Sequence, residues 1–411
     1  MKHNDAGYLR VVTIPATTPT TPPIVFHDTP VFPRGFRCAS RNCGLKPTAK
    51  DIALFASDVD AAAAAVFTRN HFPGAPIVLG RETIRSGVLR GIIVNTKVSN
   101  VATGLRGIEN VLRMAAAAAR ELDVEPEQIL VSSTGVIGAQ LPIEKIERGI
   151  DGLAGELQSD PMQGAEGIMT TDSHPKAVSL RVGDAAITWV AKGSGMIEPN
   201  MATMLVYIFT DARFDARALD RLLRAAVDDS FNMLSVDTDT STSDTCAILA
   251  NGLAGLVNEA AFAAALNAGC VRMTEMLARD GEGAEHLIRA TVRGAKSATD
   301  ARAVAKSLIN SPLIKTMVHG ADPNVGRLLM AVGKSFASSV RPATTDAWIN
   351  GHLVVRHGER LEFDDAVVRA TLAEDTVDLV VDLGLGDATA TAYGCDFTHG
   401  YIDENAAYTS S

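Results

Sequence analysis

The features that this sequence lacks exclude several classes of protein. Its five cysteines include Cys38 and Cys43 in a C-x4-C spacing, but no second pair completes a zinc site. No apolar run approaches the roughly 20 residues that cross a bilayer, and the N-terminus does not have the layout of a secretory signal. No basic stripe is present and the net charge is −10, so a nucleic-acid partner is not expected. We expect a cytoplasmic protein.

Two short patterns resemble ligand-binding motifs but are incomplete. The polar run at residues 237–245 does not contain the glycine and the terminal glutamate of a calcium-binding EF-hand loop. Gly333-Lys334-Ser335 ends like a phosphate-binding loop, yet Leu328 stands where that loop has its first glycine. We therefore predict neither a calcium site nor a nucleotide site from these segments.

Length and composition indicate a folded chain with two units. The chain has 411 residues, and 46% of them are hydrophobic, as in a globular protein. A chain of this length is too long for one ordinary hydrophobic core. Residues 1–30 include a proline- and threonine-rich stretch that favours extended, mobile chain, and we predict a flexible tail there. Residues 286–411 are predicted to form a smaller α+β domain, which leaves residues 31–285 as the main domain.

Hydrophobic patterns predict individual strands and helices. Short apolar runs that end at polar or turn residues predict buried strands at residues 51–58, 64–68, 90–95 and 129–133. Alanine-rich or amphipathic patterns predict helices at residues 109–122, 219–227 and 262–277. The alternating elements of the last segment are predicted at residues 287–292, 301–309, 348–355 and 376–383.

A glycine-rich, proline-broken loop near the middle of the chain runs into a β-forming stretch that begins at Thr203. Loop residues at the mouth of a strand are frequent positions for reactive groups. A threonine becomes a good nucleophile when it is N-terminal, because its own α-amine, with a pKa of about 7.7–8.0, then serves as the base. Attack of the Thr203 hydroxyl on the carbonyl of Ala202 would create that N-terminus. An ordinary loop-to-strand junction is the alternative.

Residues 192–205 resemble the signature of the ornithine acetyltransferase (glutamate N-acetyltransferase) family, whose members cleave themselves before the threonine. Further family motifs follow in order at residues 133–138, 169–172, 280–284, 310–316, 322–324 and 393–396. The resemblance implies an α+β fold, a four-layer α/β/β/α sandwich of the self-cleaving, N-terminal-nucleophile hydrolase type, with a smaller α+β C-terminal domain. It also implies cleavage between Ala202 and Thr203 and assembly of two cleaved pairs into a heterotetramer.

The same resemblance assigns catalytic residues position by position. Thr203 is the nucleophile, and Thr134 with Gly135 forms the oxyanion hole, which needs preorganised hydrogen-bond donors. The structural alternative for the last two residues is a turn after the strand predicted at 129–133.

The resemblance also assigns substrate-binding residues, two of which lie in a tail that returns to the active site. These residues are Thr170, Lys192, Thr203, Glu282, Asn405 and Ser410, where serine replaces the commoner threonine. Plain structural roles are the alternatives: a helix cap at Thr170, a solvated loop lysine at Lys192 and a helix end near Glu282.

The implied reaction moves the acetyl group of N2-acetylornithine to Thr203 and then to glutamate, with no metal and no organic cofactor; acetyl-CoA is an additional donor in some relatives. Departures from the arginine-pathway pattern occur at residues 95–100 and at Val325. Residues 100–105 and 237–245 look more like paralogues found with antibiotic biosynthesis. The same chemistry in a specialised-metabolite pathway therefore stays open, as do a self-processing aminopeptidase or amidase and a scaffold that never processes.

Overall fold

The structure, a computed structural model, describes residues 24–198 and 204–406, and within these ranges the strands form two sheets, one of eight strands and one of seven. The strands are β1 (Phe36–Arg41), β2 (Ile52–Phe67), β3 (Val88–Asn95), β4 (Ile129–Ser133), β5 (Lys176–Val182), β6 (Ala185–Lys192), β7 (Leu205–Ala212), β8 (Leu234–Ser235), β9 (Thr245–Gly255), β10 (Leu287–Ala295), β11 (Asp346–Ile349), β12 (His352–Arg356), β13 (Glu359–Arg360), β14 (Thr376–Asp382) and β15 (Ala388–Cys395). The helices are α1 (Ala75–Thr83), α2 (Gly104–Leu122), α3 (Ile143–Ile150), α4 (Pro161–Ile168), α5 (Ala216–Asp229), α6 (Glu259–Arg279), α7 (Ala298–Ile309), α8 (Pro312–His319), α9 (Val325–Gly333), α10 (Asp365–Leu372) and α11 (His399–Ala406). None of these helices is both long enough and apolar enough to cross a bilayer.

The eight-stranded sheet is bent into two layers by its longest strand, β2. The first half of β2 pairs with β1 and β3, and β3 pairs with β4. The pairing with β3 shifts register between Ala56 and Ala61, where residues 58–60 are exposed. Beyond this bend β2 pairs with β9, which continues through β7 and β6 to β5. One strand therefore belongs to both layers.

Apolar side chains on the facing surfaces hold the two layers together. The ring of Phe55, in the first layer, has its centroid 5.4 Å from those of Tyr207 and Phe209 in the second layer. All three side chains are buried, as are Ile92 and Leu130 beside them. Aromatic side chains bury about 150–250 Å² each, so these rings contribute a large share of the core between the layers.

Helices cover the two outer faces of the sandwich. Helices α1, α2 and α3 pack on β2, β3 and β4 around Ile93 and Val131. Helices α5 and α6 cover the other outer face, where Trp189 and Ile208 are fully buried. The order helix, sheet, sheet, helix is the α/β/β/α sandwich expected from the sequence, and the α+β class is confirmed.

The seven-stranded sheet has the order β13-β12-β11-β14-β10-β15-β8. Helix α7 packs on β10 and β15, and α6 contacts both sheets. Strand β8 comes from an earlier part of the chain and pairs with Tyr393 and Gly394 of β15. One hydrophobic cluster extends over both sheets, and the boundary between residues 285 and 286 stays a prediction.

Three predicted strands differ in their bounds from the observed ones. The strands predicted at residues 51–58 and 64–68 are one strand, β2, because the polar residues between them form an exposed bend within the strand. The element predicted at residues 348–355 is the hairpin of β11 and β12, whose turn residues Asn350 and Gly351 both have positive φ. An Asn-Gly pair with this geometry is typical of a two-residue hairpin turn.

Gly269 allows α6 to approach the sheet closely, and its substitution gives a test of the packing. A Cβ at residue 269 would lie 2.2 Å from ring atoms of the fully buried Trp189. Glycine to alanine normally stabilises a helix interior by about 0.5–1 kcal/mol. We expect Gly269→Ala instead to lower the free energy of unfolding by about 1–3 kcal/mol, because the added methyl group overpacks the core. Urea unfolding measures this free energy.

The matched control is Gly333→Ala at the end of α9, where an added Cβ meets no atom within 4 Å. This variant should be neutral or slightly more stable. Equal changes in the two variants would contradict the close packing of α6 on Trp189.

Candidate active site

A cleft of about 400 Å³ opens at the ends of strands from both layers of the sandwich. It is lined by every predicted site residue that falls within the described part of the chain: Thr134, Gly135, Thr170, Lys192, Glu282 and Asn405. Ala202, Thr203 and Ser410 lie outside the described residues. The predicted site residues that line the cleft therefore come from five separate segments of the sequence.

The loops that follow the parallel strands β3 and β4 form one wall of the cleft. The N–H of Thr134 donates to the carbonyl of Asn95 at 3.0 Å, and that of Val136 donates to the carbonyl of Lys97 at 2.9 Å. Gly135 has a φ of 124°, and a Cβ there would lie 2.3 Å from the backbone of Lys97. Only glycine fits this backbone, and both Thr134 and Gly135 line the cleft.

Residues 169–172 connect α4 to β5, so the helix-cap alternative for Thr170 is wrong. Asp172 fixes this connection: its Oδ2 accepts from the N–H of Thr170 at 2.9 Å and its Oδ1 from the N–H of Gly193 at 2.7 Å. Burial alone would raise the pKa of Asp172, but the ammonium groups of Lys176 and Lys192 outweigh burial and hold the pKa below its usual range. One carboxylate thus positions the backbone beside two predicted substrate-binding residues.

Lys192 is the last residue of β6 and is partly buried, unlike the solvated loop lysine considered as an alternative. Burial lowers the pKa of its ammonium group, and Lys176 lowers it further, while the carboxylates of Asp172, Asp244 and Glu282 oppose the shift. The ammonium group of Lys192 thus loses its charge at a lower pH than that of an ordinary lysine.

Glu282 joins three segments of the cleft and is only 6% exposed. Its N–H donates to the carbonyl of Ser194 at 2.9 Å. Its Oε1 accepts from the hydroxyl of Thr171 at 2.7 Å, and its Oε2 accepts from the amide of Asn405 at 2.8 Å. Asn405 lies in α11, so a residue close to the C-terminus reaches the cleft.

The chain is anchored on both sides of the predicted cleavage site. Asp237 accepts from the N–H groups of residues 196–197 at 2.6 and 2.8 Å. Glu198 pairs with Lys306 at 2.7 Å. On the other side, the carbonyl of Met204 accepts from the first N–H of β9 at 3.0 Å. The bond between residues 202 and 203 therefore lies between two anchored points of the chain.

A buried ion network under the cleft was missed by the sequence analysis. The ammonium of Lys176 is fully buried and contacts Asp172 Oδ1 at 2.7 Å and the carboxylate of Asp280. Asp280 also accepts from the N–H of Ser173 at 3.1 Å. A lysine four residues after an aspartate was the available signal, but its partner Asp280 is distant in sequence.

Asp244 was also missed. It directly precedes β9, is 2% exposed, and its Oδ2 has no hydrogen-bond partner within residues 24–198 and 204–406. Burial raises its pKa well above the usual value, and Ser241 and Lys192 oppose that shift. The polar run at residues 237–245 was the signal, because such a run before a buried strand places polar side chains at the strand mouth.

The fold and the cleft together define an α/β/β/α sandwich protein with a cleft whose size suits a small molecule and whose lining carries charges of both signs. Comparison with known families specifies it further. The chain belongs to the ArgJ family, whose family model matches residues 37–410. The resemblance inferred from the motifs is thereby confirmed.

Individual relatives are similar along nearly their whole length. The chain is 45% identical to "Arginine biosynthesis bifunctional protein ArgJ 2" of Clostridium acetobutylicum over 381 residues, which is 92% of this chain and 98% of the relative. It is 43% identical to "Glutamate N-acetyltransferase Oat2" of Streptomyces clavuligerus over 400 residues, 93% and 99% of the two chains. A crystal structure of the argJ protein of Bacillus halodurans matches with 38% identity and a TM-score of 0.48, covering 50% of this chain and 100% of that one.

Replacement of Lys176 tests the stabilising role of the buried ion network. In Lys176→Met, Asp172 and Asp280 remain buried with no cation between them. Removing one partner of a buried ion pair costs about 3–5 kcal/mol, so we expect a loss of that size in the free energy of unfolding, measured by urea titration.

Lys50→Met is the control, because Lys50 and Glu166 form a pair whose side chains are 29% and 42% exposed. Exposed pairs contribute about 0–1 kcal/mol. A loss for Lys176→Met no larger than that of the control would show that the network does not support the site.

Proposed function

We propose that this chain is a glutamate N-acetyltransferase of arginine biosynthesis, an acyltransferase that moves the acetyl group of N2-acetylornithine to glutamate. The observation that carries the proposal is the cleft in which two candidate oxyanion donors, a lysine and a glutamate converge. Membership of the ArgJ family supports it, because its relatives are named as arginine biosynthesis bifunctional proteins and as a glutamate N-acetyltransferase.

The charges of the cleft suit an acetylated ornithine. The Lys192 ammonium would pair with the α-carboxylate, and the Glu282 carboxylate would pair with the side-chain ammonium. The acetylated α-nitrogen is uncharged and needs no ionic partner. Thr170 and Asn405 would add hydrogen bonds, and Ser410 would join them from the C-terminal tail. One cation and one anion in the same cleft thus match a ligand that carries one charge of each sign.

In this proposal the chain first cleaves itself between Ala202 and Thr203. The Thr203 hydroxyl attacks the carbonyl of Ala202, the acyl group shifts from nitrogen to oxygen, and water opens the ester. The new α-amine, with a pKa of about 7.7–8.0, then serves as the base for its own hydroxyl. The nearby cation of Lys192 would disfavour protonation of that amine, so more of it is available as a base at neutral pH.

The transfer proceeds in two half-reactions. In the first, Oγ of Thr203 attacks the acetyl carbonyl, the bond to the ornithine nitrogen breaks, and the proton taken from the hydroxyl goes to that nitrogen. In the second, the amine of glutamate attacks the acetyl-threonine ester, gives up a proton, and restores the hydroxyl. The hydroxyl of Thr134 and the N–H of Gly135 stabilise both tetrahedral intermediates. No step requires a metal or an organic cofactor.

The finer assignments follow from likeness to the family. They are a heterotetramer of two cleaved pairs, a cytoplasmic location, and acetyl-CoA as a further donor of the kind used by some relatives. Transfer to a different acceptor in specialised metabolism is the second candidate. Lys97 favours it: this residue has a φ of 73° and lines a cavity of about 290 Å³ beside Gly135, where arginine-pathway enzymes usually have glycine. A cation there suits an acceptor with additional negative charge.

Self-cleavage gives the most direct test. Purified wild type should show two chains by denaturing mass analysis, residues 1–202 and 203–411, because the Thr203 hydroxyl breaks the bond before it. Thr203→Ala should remain one chain. Thr203→Ser keeps a hydroxyl at the same position and is the matched control, which should still cleave. An unbroken wild-type chain with full activity would contradict the proposed nucleophile.

The same preparations test the reaction. Wild type should consume N2-acetylornithine only when glutamate is supplied and should form N-acetylglutamate. Consumption without dependence on glutamate would instead indicate an aminopeptidase or amidase. Cleavage without transfer to glutamate, but with transfer to another amine, would favour the specialised-metabolism candidate.

The lowered pKa of Lys192 predicts the alkaline limb of the pH profile. The ammonium form prevails below that pKa, so kcat/KM for N2-acetylornithine should fall as pH rises through a value lower than that of an ordinary lysine. In Lys192→Arg the cation persists to higher pH, and the limb should move upward. The substrate's own ammonium group titrates in the same way with both enzymes, so it does not account for a difference between their alkaline limbs. Identical alkaline limbs would mean that Lys192 does not bind the substrate anion.

A further inference from the structure

A second group of polar side chains lies outside the cleft, where the connection after α6, the end of α8 and the end of β15 meet. Oδ2 of Asp396 lies 2.9 Å from Nδ1 of His286 and 3.5 Å from Nδ1 of His319. Oε2 of Glu285 lies 3.4 Å from the same nitrogen of His319. None of these four residues lines the cleft or has a role in the proposed transfer.

The separations fit the coordination sphere of a small cation. With metal–ligand bonds of about 2.0–2.1 Å and tetrahedral geometry, neighbouring ligand atoms lie roughly 3.3 Å apart. The three separations, 2.9, 3.4 and 3.5 Å, lie on either side of that value. Ligand atoms of Glu285, His286 and Asp396 also lie within 4.8 Å of one another. Three donors therefore lie close enough to share one ion, and His319, 3.4 and 3.5 Å from two of them, is the fourth candidate ligand.

Burial and hydrogen bonding separate this group from a surface acidic cluster. The side chain of Asp396 is fully buried, and those of His286 and His319 are 13% and 32% exposed. Oδ1 of Asp396 accepts from the backbone N–H groups of Glu285 and His286, at 2.9 and 3.0 Å, and this fixes the direction of Oδ2. Such supporting hydrogen bonds orient carboxylate ligands in metal sites.

One donor atom lacks a partner. Nδ1 of His319 is shielded from solvent and has no hydrogen bond to any residue of the described ranges. A buried polar atom without a partner costs free energy, and a bound cation would satisfy it. The cavity beside it, about 390 Å³ and lined also by Phe397 and His399, offers a route of entry.

We propose that Glu285, His286, His319 and Asp396 bind a divalent transition metal of the zinc class, at a site separate from the acetyl-transfer cleft. Two imidazoles and two carboxylates are ligands that Zn²⁺ accepts, and the two carboxylates balance its charge. The proton between His286 and Asp396 is released when the metal binds. Asp396 lies between the end of β15 and the start of α11. A bound metal would therefore hold in place the start of the helix that carries Asn405.

Zinc titration of the whole, chelator-treated protein tests the proposal. Isothermal calorimetry should show one Zn²⁺ per chain. His286→Gln and His319→Gln should each weaken binding by at least about tenfold, since each removes a donor. His399→Gln is the matched control, because its ring centroid lies 6.5 Å from that of His319 and its side chain is not a ligand. Its affinity for Zn²⁺ should equal that of the parent.

Melting temperatures separate loss of the metal from poor folding, because each variant is compared with and without Zn²⁺. Zn²⁺ should raise the melting temperature of the parent and of His399→Gln, as binding to the folded state does, and at the same Zn²⁺ concentration should raise that of His319→Gln by less. Absence of stoichiometric binding by the parent, or equal affinity in all four proteins, would overturn the proposal. Neither measurement depends on acetyl transfer, so the outcome is independent of the proposed function.

Discussion

The cleft depends on one buried ionic contact, the ammonium of Lys176 between the carboxylates of Asp172 and Asp280. Removing three charged groups from water is costly unless each is paired, so the connection before β5 and the end of α6 are held in one arrangement. Asp172 orients the backbone of Thr170 and Gly193 through its own hydrogen bonds. Asp280 lies two residues before Glu282. Lys192 and Glu282, which would bind a ligand, are therefore positioned by charged side chains that do not line the cleft.

The bend of β2 determines where this arrangement is located. Because one strand crosses both layers, the loops after β3 and β4 meet the end of β6 and the start of β9 at the same edge of the sandwich. The aromatic contacts of Phe55 with Tyr207 and Phe209 fix the separation of the layers. A closely packed interior transmits strain. A change in the packing of these rings would therefore also displace the loops that line the cleft.

Local patterns predicted much of the fold. The strand at residues 129–133 was predicted with its observed bounds, because a short apolar run flanked by a turn and by Thr134-Gly135 has few alternatives. The helix predicted at 109–122 begins earlier, at Gly104, where polar and glycine residues hide the helical periodicity. The continuity of β2 was missed because its exposed bend resembles a loop. The family motifs supplied the candidate site residues, whereas Asp244 and Lys176 could not be predicted as their neighbours because the surroundings of both come from distant segments.

The sequence by itself determined the family, the strand-and-helix character of the segments, and which side chains are suited to acyl-transfer chemistry. These properties are local: periodicity, turn residues and short motifs carry them. Only the tertiary structure decided that Glu282 is hydrogen-bonded to both Thr171 and Asn405, that Lys192 has a lowered pKa, and that Glu285 and His286 face His319 and Asp396. Contacts between residues more than a hundred positions apart, and the burial that shifts a pKa, arise from packing, which no local pattern encodes.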